Sequence, residues 1–290
     1  MLTCNSLLKR RPIMAITTTS AAAQAWRPDA HMFEPGNVIP EALINQITTP
    51  TTQIDGDAVA VRIAVVPDDV ADLVPEGTLI PLTDPELAEV LLMTIKVGKI
   101  LRVSAEQFKQ PGTSETLAKG AARAIITKAD DVLINQAAPI APETTPPAGL
   151  LAQGVTSAGA IGANLDVLID ALAGVQAAGG HPSHFVLAPD TWAGLRKLKT
   201  ETGSALGILG AGAKDAAPVL LGVPLLVNKA VPAGTGLLVD KTDIVSAIGP
   251  VAVTQSDQAY FVYDSYGLRV TFRFGAKVVH PERHAKFTLT

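Results

Sequence analysis

Two histidine-containing motifs are the first residues in the sequence that could do chemistry. "HPSH" places His181 and His184 three residues apart, and "HPERH" places His280 and His284 on either side of Glu282. Imidazole and carboxylate groups are ordinary zinc ligands. However, the first motif precedes a predicted strand and a proline interrupts the second, so neither presents a helical ligand pair. We therefore interpret these histidines as surface residues and keep a small histidine-dependent metalloenzyme only as a remote alternative.

Other patterns that could support catalysis or nucleotide binding are incomplete. Gly207, Gly210 and Gly212 do not follow the GxGxxG order, and no βαβ unit surrounds them. The acid pairs Asp68-Asp69 and Asp130-Asp131 are adjacent residues, whose side chains diverge on a helix and oppose on a strand, so we interpret them as solvated charges. The sequence therefore predicts no catalytic residue, no cofactor and no metal site, and the protein is predicted not to be an enzyme.

The clearest local pattern is the strict alternation near the C-terminus, in "LRVTFRF". It predicts a strand whose two faces differ, with Leu268, Val270, Phe272 and Phe274 on one face and Arg269, Thr271 and Arg273 on the other. A solvated face would explain the arginines. A contact of Arg269, Arg273 and the nearby Lys277 with another subunit or with nucleic acid would explain them too, and both interpretations stay open.

Composition limits the possible classes of protein. The chain has 290 residues, of which 48% are apolar and only 17% charged, a low charge for a soluble monomer. Its net charge of −4 excludes a strongly basic nucleic-acid-binding protein, although a loose contact through a few arginines is compatible with it. No apolar run reaches the roughly 18 residues that cross a bilayer. Cys4 is the only cysteine, which excludes an intrachain disulfide and a cysteine zinc site.

Local patterns along the chain predict a mixed α and β architecture. Residues 57–66 and 88–103 are strand-like and flank a proline-rich loop, which predicts a long hairpin arm. Helical spacing of apolar residues predicts a helix over residues 113–136. A shorter helix after Pro40, further helices from Asn164 and Asp190, and mostly strands after Pro218 complete the prediction. A lone hairpin is only marginally stable in water, so we expect the arm to lie on a neighbour.

The segment from Leu73 to Phe108 carries a resemblance to a known family. Its sequence "LVPEGTLIPLTDPELAEVLLMTIKVGKILRVSAEQF" resembles the extended loop of tailed-phage major capsid proteins, which have the HK-ninety-seven-like fold. The order of Glu76-Gly77, Pro81, Asp84-Pro85, Glu89-Val90 and Lys96 is similar to that of actinobacterial-phage members. The helix of residues 113–136 resembles the spine helix of the family, and the "LLGVPLLVNKAVPAG" and "YGLRVTFRFGAKVVHPERHAKF" segments are similar to its later strands.

This resemblance, over roughly residues 14–290, implies an α+β fold with an N-terminal arm, an extended hairpin loop, a spine helix, and peripheral and axial domains. We expect a flexible arm at 1–35, and translation starts at Met1 or Met14. The peripheral domain is expected to start at 36–56, to be interrupted by the extended loop at 57–103, and to continue with the spine helix at 104–150. The axial domain is expected at 151–255 and C-terminal strands at 256–290.

The resemblance also implies a function. It predicts a major capsid protein that assembles as pentamers and hexamers into an icosahedral virion shell around double-stranded DNA, in the host cytoplasm. An encapsulin-type nanocompartment shell protein is the alternative. Expected partners are a separate scaffolding protein, a portal and decoration proteins, but no membrane. Expected subunit-interface residues of the extended loop are Leu73, Val74, Glu76, Gly77, Leu79, Asp84 and Arg102; Arg269, Arg273 and Lys277 are expected to contact a subunit or the genome.

Overall fold

The computed structural model describes residues 30–33, 41–54, 57–65, 73–80, 88–110, 113–162, 164–199 and 218–289. Within these residues the chain forms two six-stranded sheets, a separate two-stranded hairpin, and helices packed on the sheets. The predicted α+β class is confirmed. Apart from the range of the extended loop, the predicted domain limits stay a prediction. The glycine-rich loop with Gly207, Gly210 and Gly212 and the acids Asp68 and Asp69 lie outside the described residues.

The first sheet is organised around one long strand. Its strands are β1 (Ala30–Phe33), β2 (Thr49–Gln53), β5 (Ile95–Ser104), β11 (Ile244–Ile248), β12 (Val251–Tyr260) and β13 (Ser265–Val278). Phe274 of β13 pairs with both Ile248 and Ile95, so β11 and β5 lie on opposite sides of β13. Strand β12 follows β11 along the same side, with β1 and β2 outside them.

The alternating side chains of β13 place one face of the strand in the main core. Val270, Phe272 and Phe274 are buried, while Arg269 on the other face is exposed. The buried face packs against helix α3 (Thr113–Asn135), whose Ala121, Ile125 and Ala129 belong to the same apolar cluster, and against α1 (Leu43–Ile47). The predicted helix over 113–136 and the predicted two-faced strand are therefore confirmed.

The second sheet carries its own core. In order across the sheet, its strands are β6 (Thr156–Ile161), β14 (Ala285–Leu289), β10 (Thr235–Val239), β7 (His184–Leu187), β9 (Val223–Val227) and β8 (Val219–Leu220). Helices α4 (Asp166–Ala177) and α5 (Pro189–Lys197) cover it. The short helix α2 (Ala105–Phe108) instead follows β5 of the first sheet. The chain crosses between the sheets three times, after β5, after β10 and after β13.

The expected hairpin of residues 57–103 is wrong in its second half. Strands β3 (Ala60–Val65) and β4 (Ala88–Met93) form the two-stranded hairpin, but the chain breaks at Thr94 and continues as β5 of the first sheet. Thr94 donates its hydroxyl to the carbonyl of Ala58, which closes the root of the hairpin. Gly275 lets this root approach β13, because a Cβ there would lie 2.4 Å from the Met93 carbonyl oxygen. Local strand propensity gave no sign of this long-range break.

Phe272 provides a test of the core. Replacing the buried ring in Phe272→Ala leaves a cavity beneath α3, and we expect a loss of about 3–5 kcal/mol in the free energy of unfolding, measured by urea denaturation. The matched control is Phe261→Ala in the turn between β12 and β13, where the ring is 82% exposed and its loss should change stability little. Equal losses in the two variants would contradict this account of the core.

Candidate functional site

Exposed apolar side chains are concentrated at two projecting turns. The first is the described part of the hairpin loop, residues 73–80, where Leu73 is 99% exposed and Leu79 and Ile80 are also exposed. The second, which we call the β12–β13 tip, consists of Phe261, Val262 and Tyr263, all exposed. Exposed apolar groups that are clustered in this way are typical of surfaces that bind another protein.

The hairpin loop contains most of the predicted interface residues. Leu73, Val74, Glu76, Gly77 and Leu79 all lie within residues 73–80, whereas Asp84 lies outside the described residues. The Thr78 backbone N–H donates to the Pro75 carbonyl at 3.2 Å, which closes a turn around Glu76 and Gly77. Gly77 has a φ of +79°, the left-handed value that this turn position requires and that favours glycine. The role of these residues at an interface remains a prediction.

Arg102, predicted as part of the loop surface, instead lies at the tip. Its guanidinium carbon is 4.2 Å from the ring centroid of Tyr263 and 5.6 Å from that of Tyr260. Its Nε donates to the Ser265 hydroxyl at 3.4 Å. These contacts hold the β12–β13 tip in one arrangement. Strand β5 begins at the root of the hairpin and ends at the tip. Arg102 lies near its last residue, so it is distant from the hairpin-loop residues with which it was predicted to lie.

The outer face of the first sheet carries a row of basic side chains, which we call the basic stripe: Lys96, Arg102, Arg269, Arg273 and Lys277. Direct strand partners share a face, and Arg273 pairs with Lys96 while Arg269 pairs with Ile100. Arg269 is exposed, as predicted. Arg273 is only 15% exposed in its side chain, because it donates to Asp57 at 3.3 Å and to the Thr94 hydroxyl at 3.0 Å.

Asp57 is shared by two cations of the stripe. Lys96 Nζ lies 2.8 Å from one carboxylate oxygen and Arg273 Nε 3.3 Å from the other. The hydrogen bond from Lys96, together with the nearby charges, holds the pKa of Asp57 below its usual value. Part of the stripe therefore stabilises the hairpin root within the subunit, while Arg269 makes no ion pair with any residue that the structure describes.

The prediction that the histidines lie on the surface is wrong for His284, which is 1% exposed. Its Nδ1 accepts from the Asp240 backbone N–H at 3.3 Å, so its Nε2 carries the proton and donates to Asp243 at 2.9 Å. His280 donates to the same carboxylate from Nδ1 at 2.5 Å and from its backbone N–H at 2.9 Å. Asp243 follows β10 and its histidine partners follow β13, so this carboxylate joins two of the crossovers between the sheets.

The remaining histidines do not complete a metal site. His181 uses its backbone N–H to bind the Asp240 carboxylate at 2.6 Å, and His184 Nδ1 lies 3.2 Å from the Ser183 hydroxyl. Burial and the nearby Lys241 charge lower the pKa of His184. Over the described ranges, no group of three histidine, cysteine or acidic side chains is arranged to hold a metal ion.

Asp130 was predicted to be solvated, and this is also wrong. It is buried on α3, where it accepts from the Leu43 backbone N–H at 2.8 Å and from the Asn228 side chain at 2.7 Å. Burial raises its pKa, although these two hydrogen bonds oppose the rise. Its neighbour Asp131 is ion-paired at the surface with Lys128 at 2.8 Å. Asp130 therefore connects segments inside the fold, whereas Asp131 is at the surface.

The hydrogen bonds that Asp243 accepts from His280 and His284 can be tested by mutation. Burial raises the pKa of its carboxyl, but the hydrogen bonds from His284 and His280 outweigh burial and lower the pKa from its ordinary value. Asp243→Asn should destabilise the fold by about 3 kcal/mol at pH 7, because buried donors lose their charged acceptor. The measurement is urea unfolding, with Asp257→Asn at an exposed site as the control.

The same lowered pKa gives the direction of the pH dependence. The stabilisation from ionised Asp243 is present above pH about 4 and is lost as the pH falls through its folded-state pKa. The difference in the free energy of unfolding between wild type and Asp243→Asn should therefore shrink as the pH falls from 5 to 2.5. This interval contains the ordinary aspartate pKa of about 3.9. A difference that grows towards low pH would contradict this assignment.

None of the helices in the described part of the chain is long and apolar enough to cross a membrane.

Among curated proteins, no sequence matches the chain. Solved structures do match it in fold. The chain is similar to one from Gordonia phage Cozz, with a TM-score of 0.65, 16% identity and 99% of both chains covered. It is also similar to one from Microbacterium phage Oxtober96, with a TM-score of 0.65, 14% identity, and 95% of this chain and 100% of that one covered.

A third similar structure is described as the capsid of an empty GTA particle computed with C5 symmetry, with a TM-score of 0.63, 16% identity, and 95% of this chain and 100% of that one covered. These likenesses, together with the hairpin, the long helix α3 and the two sheets, confirm the predicted HK-ninety-seven-like fold. The family model described as "Phage capsid family" matches residues 37–288, which is most of the sequence. The chain belongs to the phage capsid family.

Proposed function

We propose that this chain is the major capsid subunit that assembles as pentamers and hexamers into an icosahedral virion shell around double-stranded DNA. Membership of the phage capsid family carries the proposal. The role is structural and not enzymatic. The same membership favours a viral shell over the alternative of an encapsulin-type nanocompartment.

The hairpin loop supports assembly on physical grounds. It is carried by two strands, β3 and β4, and among the described strands these two pair only with each other. Leu73, Leu79 and Ile80 extend from it into solvent. Full burial of such side chains contributes about 1.5–3 kcal/mol each, so an isolated subunit leaves a large favourable term unused. A neighbouring subunit that covers the loop would gain this term and stabilise the hairpin.

The β12–β13 tip supports a second contact between subunits. It presents three consecutive exposed apolar residues, Phe261, Val262 and Tyr263, and Arg102 already holds the tyrosine in place. A preorganised aromatic turn loses little conformational freedom on binding, which is typical of residues that contribute strongly to interfaces. Two projecting surfaces on one subunit allow repeated contacts of the kind that closed symmetric assemblies use.

Further partners follow from this function. A separate scaffolding protein would direct assembly, a portal would occupy one vertex, and decoration proteins would bind the outer surface. The shell would assemble in the host cytoplasm and become the virion capsid. Residues 66–93 contain no lysine, so we expect no covalent cross-link from a loop lysine to a neighbouring asparagine.

The loop can be tested without shortening the chain. The triple variant Leu73→Ser, Leu79→Ser and Ile80→Ser should keep the wild-type fold, because these side chains are exposed in the subunit. We expect it to lose shell formation, because the apolar contact with a neighbour is removed. Circular dichroism would report the fold, and sedimentation velocity with negative-stain microscopy would report shells, with a scaffolding protein co-expressed.

The control is Ile140→Ser, at an exposed apolar position in the segment after α3. It should assemble like wild type. A second loop variant deletes Pro67 to Pro85 and should also remain folded but fail to assemble. Wild-type shells from either loop variant would argue against the proposed role of the loop.

A further inference from the structure

His284 lies where two of the crossovers between the sheets meet. The residues after β10, Asp240 to Asp243, lead from the second sheet to the first, and residues 279–284 lead back from β13 to β14. Asp240, Asp243 and His284 are each at most 6% exposed. Their polar groups are therefore satisfied by other groups of the protein and not by bulk water.

Both ring nitrogens of His284 make hydrogen bonds. The Asp240 backbone N–H, which can only donate, lies 3.3 Å from Nδ1, so Nδ1 is the acceptor. The Asp243 carboxylate, which only accepts when it is ionised, lies 2.9 Å from Nε2, so Nε2 carries the proton. This arrangement requires a neutral imidazole, because an imidazolium ion carries a proton on both nitrogens and has no acceptor left.

Protonation of His284 conflicts with the contact that its Nδ1 makes. The added proton binds Nδ1, which then directs an N–H at the Asp240 backbone N–H, 3.3 Å away. Two donors cannot form a hydrogen bond, and the Asp240 N–H loses its acceptor at a residue that is only 2% exposed. Because an unsatisfied buried donor is costly, the chain at Asp240 has to move away from the ring.

The side chains that face His284 from the second of these crossovers keep their contacts when a ring is protonated. Burial raises the pKa of Asp243, but the hydrogen bonds from the two histidines outweigh burial, so this carboxylate stays ionised in mildly acidic solution and provides a counter-charge. Arg283 lies 3.9 Å from the same carboxylate. His280 donates to Asp243 from Nδ1 and from its backbone, and its Nε2 makes no hydrogen bond with a described residue. A proton added to His280 at Nε2 therefore leaves both of these hydrogen bonds in place.

The charged groups on the Asp240 side of the contact are engaged elsewhere. The Asp240 carboxylate accepts from the His181 backbone N–H at 2.6 Å and from the Thr242 backbone N–H at 2.9 Å. The Lys241 ammonium donates to a backbone carbonyl of α1 at 3.4 Å. Burial and the Lys241 charge lower the pKa of His184, which favours its neutral form. Of the two histidines bonded to Asp243, His284 is thus the one whose protonation removes a hydrogen bond.

We propose that His284 is a pH-sensitive switch in the connection between the two sheets. In its neutral form it holds the crossover after β10 against the start of β14. In its protonated form it releases Asp240 while it stays paired with Asp243. Histidine side chains ordinarily change charge between about pH 5 and pH 8, so mild acidification alters the relative position of the sheets. The inference concerns the subunit by itself and does not depend on the proposed function.

Amide hydrogen exchange of the full-length chain at pH 7.5 and pH 5.5, corrected for the intrinsic effect of pH on exchange, tests the switch. A peptide that covers residues 238–243 should lose about tenfold or more of its protection at the lower pH, because the Asp240 amide is released. A peptide that covers residues 268–274, in the core strand β13, should keep its protection. Parallel losses in both peptides would show global unfolding, and no loss in either would show that the Asp240 contact persists; either result overturns the inference.

Three variants assign the response to one residue. His284→Gln cannot gain a charge, although its side-chain amide can still donate to Asp243, so residues 238–243 should be equally protected at both pH values. The matched control is His181→Gln, at an exposed histidine that binds Asp240 only through its backbone N–H, and it should respond like wild type. His280→Gln should also keep the response. A wild-type response in His284→Gln, or its loss in either of the other two variants, would overturn the assignment. If His284→Gln does not fold, the comparison of the two wild-type peptides decides the inference.

Discussion

The two-sided pairing of β13 is the constraint on which the rest of the structure depends. Strands β11 and β12 occupy one edge of β13 and β5 occupies the other, so its backbone groups are satisfied along most of its length. Its strict alternation then assigns each side chain to a face. Val270, Phe272 and Phe274 form the core with α3, and Arg269 and Lys277 form part of the outer face. One end of β13 is the apolar tip, and the other end supports the root of the hairpin.

Buried polar groups connect this sheet to the remainder of the fold. Asp243 accepts hydrogen bonds from His280 and His284 where the chain crosses between the two sheets, and Asp130 joins α3 to α1 and to the segment after β9. Each carboxylate is satisfied by donors from segments distant in sequence. Because an unpaired buried donor or charge is costly, these clusters favour one relative position of the segments they join.

The distribution of surface chemistry follows from the same arrangement. Three apolar clusters form the core, yet Leu73, Leu79 and Phe261 remain exposed at turns. A subunit built in this way presents exposed apolar turns that another molecule can cover. This is the physical basis for treating the chain as a unit of an assembly.

The sequence by itself determined the features that depend on local periodicity and composition. The faces of β13, the existence of α3, the proline-rich loop and its lack of basic residues could all be read from neighbouring residues, and the order of short motifs indicated the family. Only the tertiary structure decided that the strand-like run of residues 88–103 breaks at Thr94, that Arg102 lies at the tip, that Arg273 pairs with Asp57, and that Asp243, His284 and Asp130 are buried. The physical reason is that each of these depends on a partner 36 to 216 residues away. Periodicity reports whether a side chain faces a core or solvent, but the identity of its partner is set only when distant segments pack together.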